Sequence, residues 1–126
     1  MAEKQKILLV EDDKFLGKML GKMLESHNYE VVLAANGREG LLKASNSNPN
    51  LILLDIMLPD IDGFDVLETI KQDEKIKKIP VIIISNLGQP EDIQQGKSLG
   101  AKDYLVKSDM SLDEVVAKVR KHLPPV

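Results

Sequence analysis

The sequence contains no cysteine and no tryptophan, and its aromatic side chains are limited to two tyrosines and two phenylalanines. Without cysteine there is neither a disulfide framework nor a thiolate metal site, which fits a reducing compartment. The net charge of -3 is too small to indicate nucleic acid through bulk electrostatics. No apolar run reaches the roughly 20 residues of a membrane-spanning helix, and the run after the polar start is too short for a secretory signal. We therefore expect a cytoplasmic protein with no membrane insertion.

The chain of 126 residues has the length of one domain and is long enough to bury a substantial core. Five short apolar runs alternate with segments of helical period. Nearly unbroken apolar runs are typical of strands that are buried on both faces. The predicted strands are Ile7–Val10, Val31–Ala34, Leu51–Leu54, Val81–Ile84 and Tyr104–Val106.

The segments between these runs predict five helices. In the first, apolar residues at helical spacing are expected to face mostly the core: Phe15, Leu16, Met19, Leu20, Met23 and Leu24. The second contains Leu41 and Leu42, and the third begins after Gly63. The fourth begins near Pro90 and has the weakest apolar face, and the fifth begins at Ser111. Alternating strands and helices predict a three-layer (βα)5 α/β fold with a parallel five-stranded sheet between helices.

Polar residues follow four of the predicted strands. They are Glu11, Asp12 and Asp13 after the first, Asp55 after the third, Ser85 after the fourth and Lys107 after the fifth. In an open parallel sheet the carboxyl ends of the strands share one edge, where ligands bind. Carboxylates gathered there would repel one another, and a hard cation with oxygen ligands, such as Mg²⁺, would relieve the repulsion.

Each of these residues also has an ordinary structural explanation. Asp12 or Asp13 could cap the first helix, Asp55 could be a turn residue, and Ser85 and Lys107 could be loop and surface residues. A structural ion-pair network would account for all of them together.

Four segments nevertheless resemble one known family, the receiver domain of two-component response regulators. They are "ILLVEDD" (7–13), "LILLDIMLPDIDG" (51–63), "VIIIS" (81–85) and "AKDYLVKS" (101–108). The resemblance spans the chain from end to end. It implies a chemotaxis-regulator-like, doubly wound fold with the flavodoxin-like strand order 2-1-3-4-5, and a single receiver domain over residues 1–126 with no effector domain.

The resemblance also implies a phosphorylation site. Asp55 would be the phosphoacceptor. Asp12, Asp55 and the backbone carbonyl of Met57 would hold Mg²⁺, with Mn²⁺ as a substitute, and Glu11 would reach the ion through water. Ser85 would hydrogen-bond the phosphoryl group.

Two further residues take part in the implied switch. Lys107 would supply the counter-charge to the phosphoryl group. Tyr104 would turn inward on activation as Ser85 follows the new oxygens, and the surface of the fourth and fifth helices would then change.

The implied donor is a sensor histidine kinase or a histidine phosphotransfer protein, which would dock on the outer residues of the first helix and the nearby loops. The output protein is unknown, and no direct nucleic acid binding is expected. The protein would be a signalling switch rather than an enzyme, although it would catalyse its own phosphorylation and slow dephosphorylation. The alternative is a receiver-like interaction module that works without phosphorylation.

The sequence departs from the family pattern at two places. Ser108 stands where the family usually has proline, so the Lys107–Ser108 peptide bond could be cis or trans. Met57 and Leu87 are apolar at positions that flank the path of the hydrolysing water, which predicts slow self-dephosphorylation.

Two other protein classes compete with this interpretation. A phosphatase of the haloacid-dehalogenase kind needs a second aspartate two residues after its nucleophile, where this chain has Met57. A flavodoxin-like cofactor binder needs a phosphate-binding loop after the first strand, where "EDDK" would repel phosphate.

Overall fold

The computed structural model describes residues 4–123. Strands and helices alternate strictly along these residues. The strands are β1 Lys6–Val10, β2 Glu30–Ala34, β3 Leu51–Leu54, β4 Val81–Ser85 and β5 Asp103–Val106. The helices are α1 Lys14–Ser26, α2 Gly37–Asn46, α3 Gly63–Gln72, α4 Pro90–Ser98 and α5 Leu112–His122. All five predicted strands and all five predicted helices are confirmed.

The five strands form one parallel sheet in the order β2-β1-β3-β4-β5, which confirms the predicted topology. The chain winds outward from β1 in both directions, so the order reverses between β1 and β3. Side chains alternate between the two faces of the sheet. Leu8 and Ile52 belong to one hydrophobic cluster, whereas Ile7 and Leu51 belong to the other. Helices cover both faces, which explains the unbroken apolar strands.

Side-chain caps start several helices just after the strands end. Asp13 accepts hydrogen bonds from the backbone N–H groups of Phe15 and Leu16. The prediction that Asp12 or Asp13 caps the first helix is therefore confirmed for Asp13. Asn36, Asp62 and Ser111 cap α2, α3 and α5 in the same way. Each such cap contributes about 1 kcal/mol.

The core-facing side of α1 differs from the prediction at Phe15. This side chain is 78% exposed, and Met19 is 38% exposed. The buried positions of α1 are Gly17, Leu20, Gly21 and Leu24. Two of these four positions are glycines, which an apolar pattern does not reveal, so the buried face of α1 is rotated relative to the predicted one.

Helix α4 forms despite its weak apolar face. Pro90 occupies its first turn, and the Asp92 carboxylate accepts a hydrogen bond from the Gln89 N–H at 3.3 Å. Gly96 is its one buried residue and lies against Ile83 and Tyr104. Among residues 4–123, no helix is both long and apolar enough to cross a membrane.

Candidate functional site

Acidic residues meet where β1 and β3 end, at the reversal of strand order. The parallel hydrogen bonding extends past both strands: the Glu11 N–H donates to the Ala34 carbonyl at 2.9 Å and the Asp55 N–H to the Val10 carbonyl at 3.0 Å. Glu11 and Asp55 are therefore fixed through their backbones. Both are buried, whereas Asp12 is exposed to solvent. One carboxylate oxygen from each of these three acids lies within 4.8 Å of the other two.

Lys107 reaches the acids from the end of β5. Its backbone N–H donates to the Ser85 carbonyl at 2.8 Å. Its Nζ lies 2.8 Å from Asp55 Oδ2 and 2.7 Å from Glu11 Oε1. The ammonium group thus bridges two buried carboxylates. No cis peptide bond occurs among residues 4–123, so the Lys107–Ser108 bond, left open by the sequence, is trans.

The charges of this cluster are not balanced. Burial raises the pKa of Glu11 to about 7, although the hydrogen bond from Lys107 opposes the rise. Burial would lower the pKa of Lys107, but its hydrogen bonds to Asp55 and Glu11 outweigh this and raise it. One ammonium group faces three carboxyl groups, so the cluster favours a proton or a further cation.

The donor set fits a hard divalent cation. Its side-chain donors are all carboxylate oxygens, the ligands that Mg²⁺ and Mn²⁺ prefer. Glu11 Oε1 is buried and faces the Lys107 ammonium at 2.7 Å. The exposed Asp12 leaves one side open to water, and Mg²⁺ usually retains several waters. The backbone of Met57 adjoins the cluster, since its N–H donates to Asp55 Oδ1 at 3.1 Å.

Ser85 and Tyr104 lie behind the acidic cluster. Ser85 ends β4, is fully buried, and its Oγ accepts a hydrogen bond from the Leu87 N–H at 3.1 Å. The Tyr104 ring is buried, and its hydroxyl donates to the Leu87 carbonyl at 2.6 Å. The Tyr104 ring therefore lies inward in this structure, and Leu87 connects it to Ser85.

A cleft of about 440 Å³ opens beside the cluster. Its lining includes Asp12, Met57, Leu58 and Leu87. The Met57 side chain is 54% exposed. The approach to Asp55 from this side is consequently bordered by apolar side chains.

Gly63 approaches the backbone of Asp55 and Ile56 closely, a feature that the sequence did not predict. Its N–H donates to the Ile56 carbonyl at 2.8 Å. A Cβ at this position would lie 2.4 Å from Ile56 Cα and 2.5 Å from the Asp55 carbonyl oxygen. Only glycine fits there without moving the backbone that carries Asp55. The Asp-Gly pair at residues 62–63 is a turn signal, but a turn signal alone does not indicate so close an approach.

The chain matches the family model described as "Response regulator receiver domain" over residues 7–120. Among curated proteins it is 39% identical over 115 residues to the DNA-binding dual master transcriptional regulator RpaA of Synechocystis, covering 91% of this chain and 47% of RpaA. It is 40% identical over 115 residues to the transcriptional regulatory protein CusR of Escherichia coli, covering 91% of this chain and 49% of CusR. The chain therefore spans about half the length of these curated relatives.

Solved structures agree with the sequence matches. The chemotaxis protein CheY4 of Vibrio cholerae superposes with a TM-score of 0.88 at 29% identity, covering 95% of this chain and 99% of CheY4. The BeF3-activated receiver domain of RstA from Klebsiella pneumoniae gives a TM-score of 0.89 at 28% identity, covering 96% and 100%. By the family model, its relatives and its fold, the chain belongs to the receiver domains of response regulators.

Proposed function

We propose that Asp55 accepts a phosphoryl group from the phosphohistidine of a sensor histidine kinase or a histidine phosphotransfer protein, with Mg²⁺ bound at Glu11, Asp12, Asp55 and the Met57 carbonyl. The observation that carries the proposal is the Asp55 carboxylate itself. It is buried, it adjoins two further acids, and one of its oxygens pairs with the Lys107 ammonium at 2.8 Å.

The transfer forms a bond between an Asp55 carboxylate oxygen and phosphorus while the bond from phosphorus to the donor nitrogen breaks. The electron pair of that bond remains on the imidazole. Like charges oppose the approach of a phosphoryl donor to a carboxylate, and the bound ion would supply positive charge against the phosphoryl oxygens. Lys107 supplies the second positive charge and, on its flexible stem, can move from Asp55 to a phosphoryl oxygen.

The switch would run through Ser85, Leu87 and Tyr104. A phosphoryl group at Asp55 adds acceptor oxygens that the Ser85 hydroxyl can bond. Ser85 accepts from the Leu87 N–H, and Tyr104 donates to the Leu87 carbonyl, so a movement of the loop after β4 reaches both side chains. Gly96 of α4 lies against the Tyr104 ring. Through this contact the change would reach α4, and the surface formed by α4 and α5 would change with it.

The phosphorylated form would lose its phosphoryl group slowly. Hydrolysis requires a water that is held and oriented near phosphorus, and polar side chains do this best. Met57 and Leu87 line the cleft beside Asp55 and offer no polar side-chain atom. The protein would therefore remain in its phosphorylated form for long periods after the donor is removed.

The exposed Phe15 and Met19 of α1 provide apolar contacts for the donor protein near the acidic cluster. The output partner would bind the surface of α4 and α5. Direct binding to nucleic acid is not part of the proposal, although RpaA is named as DNA-binding, because that relative is about twice as long. A cytoplasmic location and a single receiver domain over residues 1–126 complete the proposal, and both rest on the family alone.

The proposal is tested by incubating the protein with Mg²⁺ and acetyl phosphate and measuring its intact mass. Wild type should gain one phosphoryl group, and chelation of Mg²⁺ or the Asp55→Asn substitution should abolish the gain. Wild type that binds no Mg²⁺ and gains no mass would contradict the proposal and favour an interaction module that works without phosphorylation.

A further inference from the structure

The segment 56–62, called the loop here, follows Asp55 and leads into α3, and one of its side chains hydrogen-bonds to a distant helix. Asp60 Oδ1 accepts a hydrogen bond from the Gly37 N–H at 2.8 Å, and Asp60 Oδ2 accepts one from the Arg38 N–H at 3.0 Å. Gly37 and Arg38 are the first two residues of α2, whose N–H groups have no partner within the helix. The carboxylate therefore joins the loop to α2 across more than 20 residues of sequence.

The contact between the loop and α2 is closely packed. A Cβ at Gly37 would lie 3.1 Å from Ile61 Cβ, 3.1 Å from Val66 Cγ2 and 3.2 Å from Asp60 Oδ1. Glycine at this position allows the start of α2 to approach the loop closely enough for both hydrogen bonds. These bonds hold the pKa of Asp60 below its usual value, with the Arg38 N–H as the largest cause.

The other hydrogen bonds of the loop are local. The Leu58 N–H and the Gly63 N–H both donate to the Ile56 carbonyl. Asp62 accepts from the Phe64 N–H at the start of α3. Among residues 4–123, no side chain of the loop other than Asp60 hydrogen-bonds to a residue outside the loop and α3.

We propose that Asp60 is a positioning residue of the metal site, which acts by holding the loop that carries Met57 in the conformation that binds the ion. The inference rests on the proposed function, in which the Met57 carbonyl is a ligand. A loop that is ordered before binding loses less conformational entropy when the ion binds, so anchoring it raises affinity without contact with the ion. Met57 and Asp60 are three residues apart, and the anchor therefore acts within the same loop.

Asp60 shares the capping of α2 with a second side chain. Asn36 already caps α2, since its Oδ1 accepts a hydrogen bond from the Glu39 N–H at 2.8 Å. The Asn36 side chain makes this bond to a residue of α2 and not to the loop. The same helix end therefore offers a matched control: Asn36→Ala removes a cap and leaves the anchor, whereas Asp60→Ala removes the anchor.

The test measures Mg²⁺ affinity by isothermal titration calorimetry for wild type, Asp60→Ala, Asp60→Asn and Asn36→Ala, together with thermal unfolding in EDTA. Both alanine variants should unfold at lower temperature. Only the Asp60 variants should bind Mg²⁺ more weakly, by about three- to tenfold. This loss is no larger than that from removing a residue that hydrogen-bonds directly to a metal ligand, because Asp60 acts through the loop backbone. Saturating Mg²⁺ should restore the phosphorylation rate of Asp60→Ala.

Unchanged Mg²⁺ affinity in Asp60→Ala, or an equal loss in Asn36→Ala, would overturn the inference and leave Asp60 as a cap of α2. If Asp60→Ala does not fold, Asp60→Asn decides, because its amide nitrogen cannot accept a hydrogen bond and one of the two bonds must be lost. Unchanged affinity in that variant would overturn the inference. Failure of wild type to bind Mg²⁺ would instead remove the proposed function and the inference together.

Discussion

Replacing Lys107 by methionine removes the one cation that bridges the two buried carboxylates of Glu11 and Asp55. Removing one partner of a buried ion pair costs about 3–5 kcal/mol. The cost in this protein is smaller, because Glu11 can take up a proton and so lose its charge. The pKa of Glu11 is about 7 with Lys107 present and rises further without it. We expect a loss of about 2–3 kcal/mol of unfolding free energy at pH 7.

The pH dependence distinguishes this explanation from a loss of packing. A raised pKa in the folded state gives a stability that is present at low pH and lost as pH rises through that pKa. In wild type this loss is largely complete near pH 7, because the pKa of Glu11 is about 7. In the variant Glu11 keeps its proton to higher pH, so stability continues to fall by up to about 1.4 kcal/mol per pH unit. The gap between the two proteins should widen by about 1 kcal/mol from pH 7 to pH 8.

The assay is urea unfolding followed by far-ultraviolet circular dichroism in EDTA, because the chain has no tryptophan to report on unfolding. Lys97→Met, at an exposed position of α4, controls for the loss of a surface charge. Saturating Mg²⁺ should narrow the gap for Lys107→Met, because the ion neutralises the same carboxylates. A Lys107→Met variant as stable as wild type, or a gap that does not change with pH, would refute the reasoning.

Three further predictions concern other parts of the molecule. Met57→Asn should shorten the lifetime of the phosphorylated form by about tenfold, because the asparagine amide can orient the hydrolysing water. The lifetime is measured by intact mass after removal of the donor, and an unchanged lifetime would refute the proposal that Met57 slows hydrolysis. Although burial opposes the shift, hydrogen bonds from neighbouring side chains lower the pKa of Asp103, so its contribution to stability should be present above about pH 4 and lost below it. Asp103→Asn should therefore lose more stability at pH 7 than at pH 3, unlike the exposed control Glu25→Gln, and equal losses at both values would contradict this. Gly96→Ala should lower the free energy of unfolding, measured by urea unfolding, by about 1–3 kcal/mol, because its Cβ would lie 2.6 Å from Ile83 Cδ1. A Gly96→Ala variant as stable as wild type would show that α4 can shift to make room.

Much of the fold could be predicted because the strands are buried on both faces. A run such as Leu51–Leu54 has no exposed position, so its sequence is uniformly apolar and its limits are sharp. The buried face of α1 was harder to predict. Phe15 has the apolar character of a core residue but lies on the exposed side, while Gly17 and Gly21 lie against the sheet. Glycine carries no hydrophobic signal, so a buried glycine is not visible in an apolar pattern.

The grouping of the site residues could also be predicted, because these residues follow parallel strands. Parallel strands bring their carboxyl ends to one edge, so Glu11, Asp55, Ser85 and Lys107 could be placed together from their positions after strands. Contacts that depend on loop conformation could not be predicted. The bond from Asp60 to the start of α2 joins residues far apart in sequence, and no local pattern indicates it.

The central claim is that Asp55 carries the phosphoryl group, and the most direct measurement is to locate that group chemically. Protein treated with Mg²⁺ and acetyl phosphate is reduced with borohydride, which converts an aspartyl phosphate to homoserine, and is then digested and sequenced by mass spectrometry. The account predicts homoserine at position 55 and at no other aspartate. Homoserine at Asp12 or elsewhere, or none in protein that binds Mg²⁺, would contradict it.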